Sequence, residues 1–238
     1  MTLDTPRIAL IHALEESVAP ARIAFAETWP EAFCFDLLDT SLSVDRALAG
    51  ELDAAMMQRF ATLANYASTS TGKGGKAAGI LFTCSAFGPA IDAIKARLTI
   101  PVLRPNEAAF SQALEKGTRF LLMVSFQPSE ATLKAEFEEM ARQRGKSISL
   151  TTVVVEGAMQ ALKSGDSPQH DALLAEAAAR YAGLVDTVVL GQFSQARARS
   201  AVQRSMPGAT VLTTPHSAVV EMRRLVVHCG SPNYQLTK

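Results

Sequence analysis

The sequence predicts an α/β fold in two pseudo-symmetric lobes, each with a short, mainly parallel sheet flanked by helices. Three observations carry this. Short apolar runs alternate with longer helical patterns from end to end, as in βαβ units. The order strand, polar turn, helix, strand, proline, helix occurs twice, once through Ile80–Ala108 and again through Val188–Ala218. The 238 residues are 48% hydrophobic, enough apolar material for one large core or two small ones.

The strands are expected at Arg7–His12, Phe33–Leu38, 79–83, 101–103, 120–124, 149–155, Thr187–Leu190 and 210–212. Ser129 is placed to cap a helix whose apolar positions Leu133, Phe137, Met140 and Ala141 share one face, and Gly145 ends it. Pro89 suits the first turn of a helix with Ile91, Ile94 and Leu98 on one face. Residues 67–76, rich in Ser, Thr and Gly, read as a mobile surface loop. Gly72 to Lys76 lack the spacing of a phosphate-binding loop. The repeat sets the lobes at 1–105 with 215–238, and at 106–214. Two such halves would place the carboxyl ends of both sheets about a cleft, with Cys84 facing Gln192.

Lys plus Arg come to 23 and Asp plus Glu to 23, so the net charge is zero and no basic face for nucleic acid is expected. No segment has the length of apolar sequence that spans a membrane, and the stretch 1–11 lacks the basic and apolar pattern expected of a signal peptide. Three widely spaced cysteines, Cys34, Cys84 and Cys229, argue for a reducing compartment and a cytoplasmic protein.

Cys84 is the sharpest chemical feature. It ends an apolar strand between Thr83 and Ser85 and precedes a helix starting near Gly88-Pro89. A thiol at a helix N-terminus gains from the positive end of the dipole, which favours thiolate. It could then transfer a proton or act as a nucleophile; the alternative is a small buried hydrophobe.

Thr83-Cys84-Ser85 after a strand, Ile100-Pro101-Val102-Leu103 with Glu107 downstream, and Leu190-Gly191 closing a later strand resemble the aspartate/glutamate racemase superfamily. That group includes amino-acid, hydantoin and allantoin racemases, maleate isomerases and arylmalonate decarboxylases. The resemblance implies an active site between two lobes that uses neither cofactor nor metal. It implies a small anionic carboxylate as substrate and allows a homo-oligomer.

In the racemases one cysteine in each half flanks the substrate carbon. Cys84 matches the first, but Gln192 stands where the second is expected, and an amide cannot exchange that proton. The resemblance therefore implies an isomerase of racemase type in which Cys84 serves one face, with decarboxylation, covalent Cys84 chemistry or simple carboxylate binding as alternatives. Substrate contacts are expected from His12, Thr83, Ser85, Ser125, Gln127, Gln192, Ser194 and His216, with Glu107 supporting from behind. Asp39 and Ser41 read as turn residues, Cys34 and Cys229 as packing residues, and His170 as part of a Gly-Asp-Ser-Pro loop.

Overall fold

Runs of apolar, often β-branched residues build two parallel sheets with the same strand order. The computed structural model describes residues 5–229. Of these, residues 5–104 with 218–229 form one compact unit, and Pro105–Ser217 form the other.

The first unit runs β1 (Arg7–His12), α1 (Val18–Thr28), β2 (Phe33–Leu38), α2 (Ser41–Ala49), α3 (Ala54–Thr69), β3 (Thr71–Gly72), β4 (Gly75–Phe82), α4 (Gly88–Lys95) and β5 (Val102–Leu103). Its parallel strands lie in the order β2-β1-β4-β5. One sheet face presents Ala9, Ile11, Ile80 and Phe82 to a core that includes Phe60, Phe87, Ile91 and Ile94. The Phe60 ring lies 4.4 Å from that of Phe87, and burial of each such side chain contributes roughly 1.5–3 kcal/mol. Met222, in α10 (Thr214–Cys229), lies over Gly79, where an added Cβ would come within 2.6 Å of its sulfur. Glycine there lets the helix approach the sheet.

The second unit runs α5 (Glu107–Lys116), β6 (Arg119–Val124), α6 (Glu130–Gln143), β7 (Ser149–Val154), α7 (Ala158–Lys163), α8 (Ser167–Ala179), β8 (Thr187–Leu190), α9 (Arg199–Ser205), β9 (Thr210–Thr213) and the first turn of α10. The strand order is β7-β6-β8-β9, all parallel. Both faces are covered. Leu121, Met123, Val188 and Leu190 join one core cluster, while Phe120, Leu122, Val124 and Val189 join another with Phe110 and Phe137. Parallel strands buried on both sides need such continuous apolar runs.

Three local expectations are corrected. Residues 67–76 do not form a mobile loop: α3 continues to Thr69, and β3 and β4 then form a tight hairpin. Gly74 and Gly75 supply its positive φ angles of 82° and 79°. His170 is buried within α8, which Asp166 caps by accepting the Gln169 N–H at 3.1 Å. Ser129 stands at the start of α6, but its side chain makes no capping hydrogen bond. Among the described residues, no helix is long and apolar enough to cross a membrane.

Candidate active site

The candidate residues gather at the carboxyl ends of the strands, where parallel sheets present side chains and free backbone groups. In the first unit, β1 delivers His12 and β4 leads into Thr83, Cys84 and Ser85. A three-residue 3-10 turn, Ser85–Phe87, separates Cys84 from α4.

His12 is 1% exposed, with both ring nitrogens occupied. Nε2 lies 3.1 Å from Asp36 Oδ1, and Nδ1 lies 2.9 Å from Thr83 Oγ1 and 3.1 Å from Ser17 Oγ. The Asp36 carboxylate can only accept, so the ring proton belongs on Nε2 and Nδ1 accepts. The Ser17 hydroxyl donates to the Leu14 carbonyl at 2.7 Å, which leaves Thr83 as the donor to Nδ1. Burial, the largest influence, lowers the His12 pKa from its ordinary 6.5 against the pull of Asp36. Burial raises the Asp36 carboxyl, but hydrogen bonds from Arg22 and His12 outweigh it and hold it below the usual range. His12 is thus a neutral, fully engaged group that fixes Thr83. Both ring nitrogens are thus engaged within the protein, and neither is open for the substrate contact expected of His12.

Cys84 is half-buried and packs against the core of its unit. Burial pushes its thiol up to about 11, although the Ala86 backbone N–H pulls the other way. The expected preference for thiolate is therefore reversed. The 3-10 turn brings one stabilising N–H to the sulfur, and loss of water outweighs it. Ser85 is half-buried in the same turn. Cys34, on β2, is half-buried as well, and burial pushes it up to about 12; Cys34 and Cys84 are both free thiols.

In the second unit, β6 leads to Ser125 and β8 to Gly191 and Gln192. The Gln192 Oε1 accepts the Ser125 backbone N–H at 2.7 Å and its hydroxyl at 2.9 Å. Gln192 also caps the following 3-10 helix, Phe193–Ala198, in a reciprocal pair with Gln195. An added Cβ at Gly191 would lie 2.9 Å from both the Met123 carbonyl oxygen and Leu122 Cδ1, so the strand end needs glycine.

The other expected residues are placed by their own elements. Gln127 is exposed and donates to Glu130 Oε2 at 3.0 Å. Ser194 is buried in the 3-10 helix after Gln192. His216 is half-buried in the first turn of α10, and Glu107 opens α5, where the dipole favours a carboxylate. Asp39 is a turn residue, accepting the Ser41 N–H at 3.1 Å. Cys229 ends α10, and its side chain lies outside the described residues.

Sequence reasoning missed Ser17, Arg22, Asp36, Asn106 and Gln195. A carboxylate inside the otherwise apolar Phe33–Leu38 run was the available signal for Asp36. Among the described residues, no three His, Cys, Asp or Glu side chains gather as a metal site requires.

Two parallel α/β units of identical strand order, with polar turns after equivalent strands, define a duplicated α/β protein. The chain belongs to the Asp/Glu/hydantoin racemase family, whose pattern matches residues 12–222. Membership supports an enzyme of racemase type. A glutamate racemase isoform from Bacillus anthracis is similar in fold, with a TM-score of 0.72 at 13% identity over 95% of this chain and 84% of that one. The allantoin racemase from Klebsiella pneumoniae gives 0.69 at 16% identity over 94% and 89%. The aspartate racemase from Picrophilus torridus gives 0.67 at 11% over 93% and 94%. No curated protein matches the chain in sequence.

Proposed function

We propose that this protein is a cofactor-independent enzyme that acts on a small carboxylate by proton transfer at carbon, with Cys84 serving one face of that carbon. The observation that carries the reading is a half-buried free thiol, Cys84, after β4 and an amide, Gln192, after β8, in a chain of the racemase family. With its pKa raised to about 11, Cys84 holds its proton at neutral pH. It is thus suited to give that proton to a carbanionic carbon left when a substrate carboxylate departs as carbon dioxide: the C–C bond breaks and leaves its electron pair on carbon, the S–H bond breaks as a C–H bond forms, and the thiolate regains a proton from water. Gln192 has no titratable proton for the opposite step. Glutamate, aspartate and allantoin racemases are the named structural relatives, which supports a small substrate with carboxylate or ureide oxygens.

Covalent attack by Cys84 is the less favoured chemistry, because burial works against the thiolate it needs. Neither nucleic acid nor a membrane is a proposed partner, and free thiols fit a reducing compartment such as the cytoplasm. The test is turnover of both enantiomers of aspartate and glutamate, of allantoin, and of 2-substituted malonates by the wild type, Cys84→Ser and Cys34→Ser. The reading expects Cys84→Ser alone to lose turnover by orders of magnitude. Equal rates in all three proteins overturn it, and wild-type binding without turnover marks a carboxylate-binding protein.

A further inference from the structure

Hydrogen-bond donors alone fix the orientation of the Gln192 amide. The Ser125 backbone N–H, 2.7 Å from one end of that amide, can only donate, so this end is the oxygen. The Ser125 hydroxyl at 2.9 Å and the Gln195 backbone N–H bond to the same atom. The other end is therefore the NH2 group. Gln192 is part-exposed, and among the described residues no hydrogen bond engages its Nε2.

The peptide that carries this side chain is held from both sides. Asn106 Nδ2 donates to the Gly191 carbonyl at 2.7 Å, and Gln195 Oε1 accepts the Gln192 N–H at 3.3 Å. In a trans peptide these two groups point in opposite directions, so the pair clamps the peptide plane. Asn106 is 1% exposed and Gln195 0%, and among the described residues neither Asn106 Oδ1 nor Gln195 Nε2 meets a protein partner.

We propose that Gln192 is a specificity-determining residue whose fixed NH2 group selects a ligand oxygen that accepts hydrogen bonds, above all a carboxylate, and rejects ammonium groups. This deepens the carboxylate reading and rests on it. The side chain thus supplies a directed donor in place of a proton-transfer group.

The test uses malonate and the dication of 1,3-diaminopropane as probes of the whole protein, followed by calorimetry and by NMR of the Gln192 side-chain amide. In Gln192→Glu a carboxylate oxygen still accepts from Ser125 and Gln195, while the outward atom changes from donor to acceptor. Malonate affinity should fall at least ~10-fold, since a hydrogen bond to a charged group is lost and repulsion replaces it. In the wild type, malonate but not the diamine should shift the amide protons. Gln192→Leu, with neither donor nor acceptor, should also lose malonate affinity, and covers a failure of the Glu variant to fold. Equal malonate affinity in the wild type and whichever variants fold overturns the role of Gln192 and leaves the carboxylate reading intact. If malonate does not bind the wild type, the selectivity proposed here is wrong, and Cys84-dependent turnover separately decides the fate of the carboxylate reading.

Discussion

His12 Nε2 lies 3.1 Å from Asp36 Oδ1, and this contact organises the carboxyl end of the first sheet. Through it a polar string runs from Arg22, whose Nε donates to Asp36 at 2.8 Å, to the imidazole, and on to the Thr83 hydroxyl. Thr83 immediately precedes Cys84, and its backbone N–H also donates to the Ile11 carbonyl at 3.1 Å. The strand end that presents the thiol is thus held by both backbone and side chain, as a reacting group needs.

The string makes stability sensitive to acid in two windows. His12 has its pKa lowered, chiefly by burial, so below about 6.5 the unfolded chain binds a proton that the folded one refuses. Stability should fall as pH drops through that value towards the lower folded one. Asp36, held below its ordinary 3.8, adds a second loss as pH falls past that point. Thermal melts should therefore show Tm declining between about pH 7 and pH 5, with His12→Gln losing much of that slope. A wild-type Tm that is flat over this interval contradicts the neutral, buried imidazole.

Cys84 should alkylate slowly with iodoacetamide near neutral pH. Its thiol is pushed up to about 11, so the rate should still be rising at about pH 10. Peptide mapping separates Cys84 from Cys34, whose thiol is pushed higher still, to about 12. A rate that levels off at about pH 8 would reveal a stabilised thiolate and restore the covalent alternative.

Gly191→Ala should destabilise the protein by about 1–3 kcal/mol, because the new Cβ would press on the Met123 carbonyl and on Leu122 Cδ1 at 2.9 Å. Gly208→Ala is the control, since an added Cβ there meets nothing within 4 Å. Urea melts of the two variants should separate clearly. Equal midpoints would show that the β8 end can relax and does not need its glycine.

The sheets were legible because their strands are unbroken apolar runs. Arg7–His12, Phe33–Leu38 and Thr187–Leu190 have the bounds that their residues suggest. Punctuation was less reliable. The Gly-rich stretch at 72–75 reads as a loop, yet two positive-φ glycines make it a hairpin turn. Asp166 and Pro168 read as loop residues, yet Asp-x-Pro also starts a helix, and here it starts α8.

Within the candidate site, residue type and position drew attention to Cys84 and Gln192. Neighbours in sequence did not reveal that burial would outweigh the Ala86 N–H at the thiol. The clamp on Gln192 was hidden for another reason. Asn106 reaches the Gly191 carbonyl from 85 positions away, and no local pattern announces such a pairing.

The most direct measurement of the central claim is the configuration of label introduced at carbon from heavy water. Wild type, Cys84→Ser and Gln192→Cys are each incubated with the substrate that the turnover panel selects, and the product is read by proton NMR. With one thiol and one amide, deuterium should enter the wild-type product in a single configuration without racemisation. Cys84→Ser should lose this labelling by orders of magnitude, since a serine hydroxyl is far too weak an acid. On the proposed reading, in which Gln192 holds the place of a second thiol, Gln192→Cys should add label of the opposite configuration. Equal labelling of both configurations by the wild type would contradict the account, because it requires a second proton-transfer group that neither Cys84 nor Gln192 supplies.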